Sequence, residues 1–159
     1  MIERQASGSL SPALATHIKR HVRENGADGH WFMYQLPASA SLDAVKNADA
    51  VWTFVDHRQV RGHVQVTINP AAPHRCTLSM GVELGWRGKG HGRRLMQTAV
   101  GWCRWQHGLR WIDGWAMESN KAVLELDYSV GFRSVGVIPD CMHGDGQHIL
   151  VLDLLHSGG

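Results

Sequence analysis

Three alternating glycines beside basic side chains make residues 86–95 the part of the sequence best suited to bind phosphate. The glycines are Gly88, Gly90 and Gly92, and the stretch lies between a predicted strand and a predicted helix. Backbone N–H groups at a helix start bind phosphate, and glycine has no Cβ atom to hold a pyrophosphate away from them. Positive charge is added by Arg87, Lys89, Arg93 and Arg94. The loop therefore indicates a phosphate-bearing ligand.

Two other phosphate-binding loops do not match this stretch. A P-loop needs Gly-Lys followed by Ser or Thr, which the sequence lacks. A dinucleotide-binding loop needs GxGxxG, and Gly92 comes one residue too early after Gly88 and Gly90. A nucleoside triphosphatase and a dinucleotide-dependent enzyme are therefore disfavoured. Residues 84–112 contain no Asp or Glu, which leaves open a nucleic-acid-binding module that uses this basic segment.

Hydrophobic periodicity and turn residues predict the elements that must position the loop. Helices are predicted over residues 12–25, 42–48, 92–107 and 120–130. Strands are predicted over residues 1–6, 51–55, 60–68, 76–82, 110–117, 132–137 and 148–154. A loop containing Pro139, Gly144 and Gly146 is expected between the last two strands. No repeat or linker divides the chain, so we expect a single domain over residues 1–159.

Two segments of the sequence resemble the GCN5-related N-acetyltransferase (GNAT) superfamily. The first is the R-x-x-G-x-G pattern formed by Arg87, Gly90 and Gly92. The second is a helix and strand start whose matching residues are Asn120, Leu126, Gly131 and Phe132. The resemblance covers the chain from about residue 76 to about residue 154.

The resemblance implies an α/β fold and a binding site for acetyl-CoA. Its central sheet would be mixed and mostly antiparallel, with six to seven strands and about four flanking helices. The sheet would splay between the strands ending near Glu83 and Met117, and the pantetheine arm would lie in that gap. The implied cofactor-binding residues are Val82, Leu84, Arg87, Gly88, Lys89, Gly90, His91, Gly92, Arg93 and Asn120. His91 would contribute through its backbone alone.

Acetyl transfer to an amine needs a base for the amine, a polarised carbonyl and a proton for the departing thiolate. A backbone N–H near Val82 could stabilise the oxyanion. The carboxylates predicted at strand ends are Glu83 and Glu118, and either could act as the base, directly or through a water. Glu118 could instead cap the following helix together with Ser119.

The general acid departs from the family pattern. The tyrosine that often protonates the thiolate falls seven residues after Asn120, and this chain has Asp127 there. Tyr128 follows, rotated by about 100° around a regular helix. The identity of the proton donor therefore stays open, and the candidates are Tyr128, Asp127 and a water.

Composition excludes several classes of protein. The chain has 159 residues, a net charge of +2 and 43% hydrophobic residues, which suits one packed domain rather than a disordered chain. The apolar runs are far shorter than the ~20 residues that cross a bilayer, and the start does not look like a secretory signal, so we expect a cytoplasmic protein. Cys76, Cys103 and Cys141 indicate reduced thiols without a disulfide or zinc framework.

The remaining histidines and tryptophans receive weaker interpretations. His143, Asp145 and His148 are expected to form a polar surface loop rather than a metal site, so we expect no metal. Trp31 and Phe32 are candidates for lining the acceptor pocket. Packing in the core is expected of Trp102, Trp105, Trp111 and Trp115.

The sequence therefore predicts an acetyl-CoA-dependent N-acetyltransferase. The amine acceptor, a small molecule or a peptide, would attack the thioester directly in a ternary complex. We expect a monomer or homodimer with no nucleic-acid or membrane partner. The alternatives are an acyl-CoA-binding domain without turnover and, less favoured, the nucleic-acid-binding module.

Overall fold

The computed structural model describes residues 1–28 and 38–156, with no side-chain description for residues 25–28. Trp31 and Phe32 lie outside the described residues. The helices are α1 (Pro12–Asp28), α2 (Ala38–Lys46), α3 (His91–Arg104) and α4 (Lys121–Val130), with a 3₁₀ turn over Leu84–Trp86. The strands are β1 (Ile2–Arg4), β2 (Ala50–Asp56), β3 (Gln59–Ile68), β4 (Arg75–Val82), β5 (Trp111–Met117), β6 (Arg133–Met142) and β7 (Asp145–Asp153).

The strands form one seven-stranded sheet in the order β1-β2-β3-β4-β5-β7-β6. Neighbouring strands pair antiparallel except β4 and β5, which are parallel because α3 connects them. The predicted α/β fold, with a mixed and mostly antiparallel sheet, is confirmed. Within the described ranges, no helix is long and apolar enough to span a membrane.

The two faces of the sheet bury separate hydrophobic clusters. Helices α3 and α4 cover one face, where Leu95 and Leu124 join Val64, Val66 and Ile112 of the strands. Helices α1 and α2 cover part of the other face through Leu14, Ile18 and Val45. Burying a side chain of this size contributes roughly 1.5–3 kcal/mol, so both helix layers hold their positions through packing.

Strands β4 and β5 diverge toward their carboxyl ends, as the family resemblance implied. Their paired residues run from Arg75 and Trp111 to Thr77 and Asp113, whereas the strands themselves continue to Val82 and Met117. A gap in the sheet, the β4–β5 gap, lies between these unpaired ends.

Backbone groups of β4 face this gap. Glu83 donates its N–H to the carbonyl oxygen of Arg61 on β3, and hydrogen-bonded pairs alternate along antiparallel strands. The N–H and C=O groups of Val82 and Met80 therefore point away from β3, toward the β4–β5 gap.

Two expectations from the sequence about the bounds of the elements are wrong. The loop before β7 is only a tight turn in which His143 and Gly144 have φ of 49° and 82°, so Pro139 and Gly146 lie in strands. The second helix begins earlier than predicted, at Ala38.

Two tryptophans predicted to pack in the core are exposed. Trp105 follows the last residue of α3 and is 89% exposed. Trp115 is 49% exposed because it lies on the opposite face of β5 from the buried Ala116. Alternation along the strand fixes its face, but the helices do not cover that face at β5.

Candidate active site

The glycines of the loop before α3 serve different physical needs. Gly88 and Gly90 have φ of 72° and 85°, a backbone conformation that other residues rarely adopt, and Gly90 is the N-cap of α3. A Cβ atom on either would meet nothing within 4 Å, so open space adjoins the backbone at these positions. A Cβ on Gly92 would lie 3.1 Å from Met80 Cε and 3.4 Å from Leu126 Cδ2, so α3 starts in close contact with β4 and α4.

Aromatic rings anchor this loop to the sheet. The ring of His91 stacks on Phe54 with centroids 3.9 Å apart, and the ring of Trp86 lies 5.7 Å from Phe54. The His91 side chain is therefore turned toward β2. Lys89 Nζ lies 5.1 Å from the centroid of Trp86, close enough for a cation–π contact.

The arginines near the loop differ in their surroundings. Arg87 Nε donates to the carbonyl oxygen of Val82 at 2.8 Å, which ties the loop to the last residue of β4. Arg93 and Arg94 are exposed on the first turn of α3. Their positive charge therefore lies beside the open N-terminal N–H groups of the helix.

Asn120 and Glu118 occupy the junction between β5 and α4. Asn120 is the N-cap of α4, and its Oδ1 accepts a hydrogen bond from the backbone N–H of Val123 at 3.3 Å. Glu118 is exposed and Ser119 hydrogen-bonds to Asp145, so the suggested Glu118 and Ser119 cap is wrong. Asn120 takes that role because its short side chain reaches the first helical turn.

The position of the family's tyrosine holds a buried carboxyl group. Asp127 is 6% exposed, and burial raises its pKa to about 7. Val123 and Leu124, one turn earlier, also face inward, so Asp127 lies on the packed side of α4. Tyr128 is 45% exposed on the other side.

The Glu83 carboxylate is buried among basic groups at the end of β4. It is 5% exposed. Its Oε1 accepts a hydrogen bond from Arg20 at 2.6 Å, and its Oε2 accepts one from Arg61 at 3.0 Å. The Nδ1 of His17 lies 3.5 Å from Oε1. Two guanidinium groups thus compensate the cost of burying this charge.

Three histidines form a buried cluster that sequence reasoning missed. His17 and His21 lie one turn apart on α1, and His63 lies on β3; their exposed fractions are 1%, 9% and 5%. His17 Nε2 and His63 Nδ1 are 3.0 Å apart. The i, i+4 spacing on the apolar face of α1, beside Leu14 and Ile18, was the signal that could have revealed it.

Burial favours the neutral form of the three histidines in this cluster. It is the largest cause and lowers the pKa of His21 to about 3, with electrostatic interactions from His17 and Arg87 acting in the same direction. Burial likewise lowers the pKa of His63 well below its ordinary value, and it lowers that of His17 although Glu83 opposes the change.

Asp145 and His148, two of the residues expected in a polar loop near the last strands, form side-chain hydrogen bonds with serines. Ser119 donates its hydroxyl to Asp145, and Ser134 Oγ lies 2.8 Å from His148 Nδ1. In the described part of the chain, no three His, Cys, Asp or Glu side chains are arranged to hold a metal ion.

The diverging strands, the glycine loop at a helix start and the capped α4 together define an acetyltransferase of the coenzyme A-dependent class. Residues 13–132 match the model of the acetyltransferase (GNAT) family. The chain belongs to this family, and it is an N-acetyltransferase whose acetyl donor, as the family implies, is acetyl-CoA.

Solved structures share the fold over nearly the whole chain. A GCN5-related N-acetyltransferase from Kribbella flavida is 23% identical, with 96% of this chain and 97% of that chain covered and a TM-score of 0.81. A GNAT-family acetyltransferase from Streptococcus pneumoniae is 15% identical, with 96% and 99% covered and a TM-score of 0.78. The ribosomal-protein-S18-alanine N-acetyltransferase from Escherichia coli is 12% identical, with 97% and 94% covered and a TM-score of 0.75. No curated protein matches the sequence significantly.

Proposed function

We propose that the chain transfers the acetyl group by direct attack of a primary amine on the thioester, with both substrates bound together. The observation that carries this proposal is the β4–β5 gap, whose β4 edge leads into the glycine loop. An extended pantetheine arm fits beside a strand whose backbone groups face it, and the gap offers the backbone of Met80 and the N–H of Val82, while the carbonyl oxygen of Val82 already accepts a hydrogen bond from Arg87.

The residues of the loop suit the pyrophosphate of the acetyl donor. Gly88 and Gly90 leave open space beside the backbone, and the N-terminal N–H groups of α3 carry partial positive charge. Lys89 and Arg93 add full charges nearby, while His91 contributes through its backbone because its ring lies on Phe54. Leu84, Arg87 and Asn120 remain predicted contacts of the donor.

Asp127 is the proton donor that we assign to the departing thiolate. A carboxyl group with a pKa of about 7 is protonated in about half of the molecules at neutral pH, so it holds a proton that it can release. Tyr128, which is largely exposed, lies on the wrong side of α4 for this task. We assign the stabilisation of the oxyanion to the N–H of Val82.

Glu83, one of the two carboxylates expected to act as the base, is already hydrogen-bonded to arginines. Both oxygens of Glu83 already accept hydrogen bonds from Arg20 and Arg61, so we assign it an organising role rather than direct proton transfer. Glu118, exposed after β5, remains the second carboxylate candidate.

The acceptor is proposed at the level of its chemical class, a primary amine of a small molecule or of a protein. The E. coli neighbour is named for an alanine in a ribosomal protein, which makes a protein α-amine worth testing here. A cytoplasmic monomer or homodimer, without a metal and without nucleic-acid or membrane partners, stays our prediction.

Acetyl-CoA incubated with a panel of amines tests the proposal through release of free thiol. The panel contains spermidine, glucosamine, a lysine-containing peptide and peptides with a free alanine at the N-terminus. We expect amine-dependent thiol release with at least one member. Tight CoA binding with no release over the panel would instead favour a binding domain without turnover. Salt-sensitive RNA or DNA binding without affinity for CoA would favour the nucleic-acid-binding module.

A further inference from the structure

The ring of His21 lies directly against Gly81, the residue before Val82. A Cβ atom on Gly81 would lie 2.6 Å from Cε1 and 2.7 Å from Cδ2 of this ring, with Nε2 nearest of all. Such distances do not occur in real proteins, so only glycine admits the ring here. The sequence therefore brings an imidazole onto the backbone of β4 at the end of the β4–β5 gap.

The imidazole lies on the face of the sheet opposite to α3. Helix α3 and its phosphate-binding loop pack on one face of the sheet, whereas α1, which carries His21, packs on the other. A donor held by the α3 loop reaches Val82 from the first face. An amine that approaches from the second face passes the ring of His21.

We propose that His21 is the residue that accepts the proton of the attacking amine. This inference rests on the proposed function, because it needs a thioester beside Val82. His17, His63 and Glu83 are positioning residues, since they act on His21 and its surroundings rather than on the substrate.

The amine nitrogen forms a bond to the carbonyl carbon and its proton passes to a ring nitrogen of His21, while the C–S bond breaks and sulfur takes a proton from Asp127. Exchange with water then returns the imidazolium and the carboxylate to their starting states. The nitrogen becomes more acidic once it is bonded to the carbonyl carbon, which lowers the basicity that its proton acceptor needs.

The surroundings of the His21 ring favour its neutral form, which is the form that accepts a proton. The charged and titratable groups that act on or contact the ring include His17 of α1, His63 of β3 and Arg87. Burial together with this mostly positive setting lowers the pKa of His21 to about 3, so the ring is not protonated before the amine arrives.

The other two histidines, His17 and His63, pack against the ring of His21. With Nδ1 of His17 donating toward Glu83, its Nε2 accepts the N–H of His63 Nδ1. The rings of His17 and His21 are stacked, with centroids 5.9 Å apart and planes within 21°. Glu83 thereby orients His17, and His17 orients His21 through stacking.

The experiment compares thiol release by His21→Gln, His21→Ala and the wild type, with the amine that the panel identifies. His107→Gln is the matched control, because His107 is exposed beyond the end of α3. We expect His21→Gln to lower kcat by about 100-fold, a typical loss for general-base catalysis, with unchanged CoA affinity. His107→Gln should match the wild type. Added imidazole should restore activity to His21→Ala, because the missing ring leaves room for it.

Several outcomes would overturn the inference. A kcat for His21→Gln within about threefold of the wild type would remove His21 from the reaction while leaving the proposed function in place. A large loss in His21→Ala that imidazole does not restore, with CoA affinity retained, would show a structural role only. If the wild type releases no thiol with any amine, the proposed function fails and this inference falls with it.

Discussion

Asp127 and Tyr128 are neighbours on α4 that point to different sides of the helix, one buried and one partly exposed. The carboxyl group of Asp127 is buried at 6% exposure, and the ring of Tyr128 is 45% exposed. Adjacent residues of a regular helix are rotated by about 100°, so one position faces the core and the next faces water. The proton donor of this enzyme is therefore expected at the carboxyl group.

Substituting Tyr128→Phe keeps the ring and removes only the hydroxyl group. Since that hydroxyl lies on the outer side of α4, we expect kcat to fall by much less than the ~10²-fold typical of a lost general acid. Steady-state thiol release at saturating acetyl-CoA measures it. A loss larger than 10²-fold at about the same CoA affinity would make Tyr128 the acid instead.

Substituting Asp127→Asn keeps the size of the side chain and removes its proton. The wild-type kcat should decline as the pH rises through about 7, because the carboxyl group then loses the proton that it donates. The variant should be about 100-fold slower at pH 6, and it should lack that decline. An identical decline in both proteins would assign it to another group, and Tyr128→Phe serves as the neighbouring control.

Substituting Gly90→Val should weaken CoA binding more than Arg94→Ala does. Valine is strained at a φ of 85°, so the N-cap and the first N–H groups of α3 would move. Arg94 is exposed, and one exposed charge contact contributes at most about 1 kcal/mol.

Calorimetric titration with CoA ranks these two variants. Gly85→Ala is the control, since a Cβ at residue 85 meets nothing within 4 Å and its φ is ordinary. An equal or larger loss of affinity in Arg94→Ala would show that charge, rather than loop conformation, dominates binding.

Local patterns were sufficient to predict the parts of the site that depend on nearby residues. The glycine loop and the start of α4 follow from spacing along one element, whereas the burial of Asp127 was not predicted. The complete histidine cluster could not be predicted in this way, because the spacing of His17 and His21 on α1 signals only two of its three members. Its members come from α1 and β3, and His63 alternates with valines as a solvent-facing residue would. Only the packing of α1 over Gly81 turns that polar position into a buried one.

The exposure of Trp105 and Trp115 could not be predicted from local sequence either. Alternation in β5 correctly separates Trp115 from Ala116, but no local signal reveals which face a helix covers. Whether a strand residue is buried depends on which distant elements pack over its face, and the tertiary fold decides this.

The buried histidines should make the protein sensitive to acid. Because their folded-state pKa values lie below the ordinary 6.5, the unfolded chain binds more protons as the pH falls below that value. Each such group adds a slope of up to about 1.4 kcal/mol per pH unit, with the free energy of unfolding falling toward low pH. For His21 the loss extends to about pH 3.

Urea unfolding at several values between pH 4 and pH 7 measures this slope. We expect a shallower slope in His21→Gln than in the wild type, whatever the variant's stability at pH 7. His107→Gln should leave the slope unchanged. Parallel curves for wild type and His21→Gln would contradict a buried neutral imidazole at position 21.

Amide hydrogen exchange on the wild type, followed by NMR with and without CoA, tests most directly whether the β4–β5 gap holds the donor. If it does, CoA slows exchange at Met80 and Val82 on β4 and at the first N–H groups of α3. Protection that CoA confers elsewhere, with Met80 and Val82 unchanged, would contradict the account.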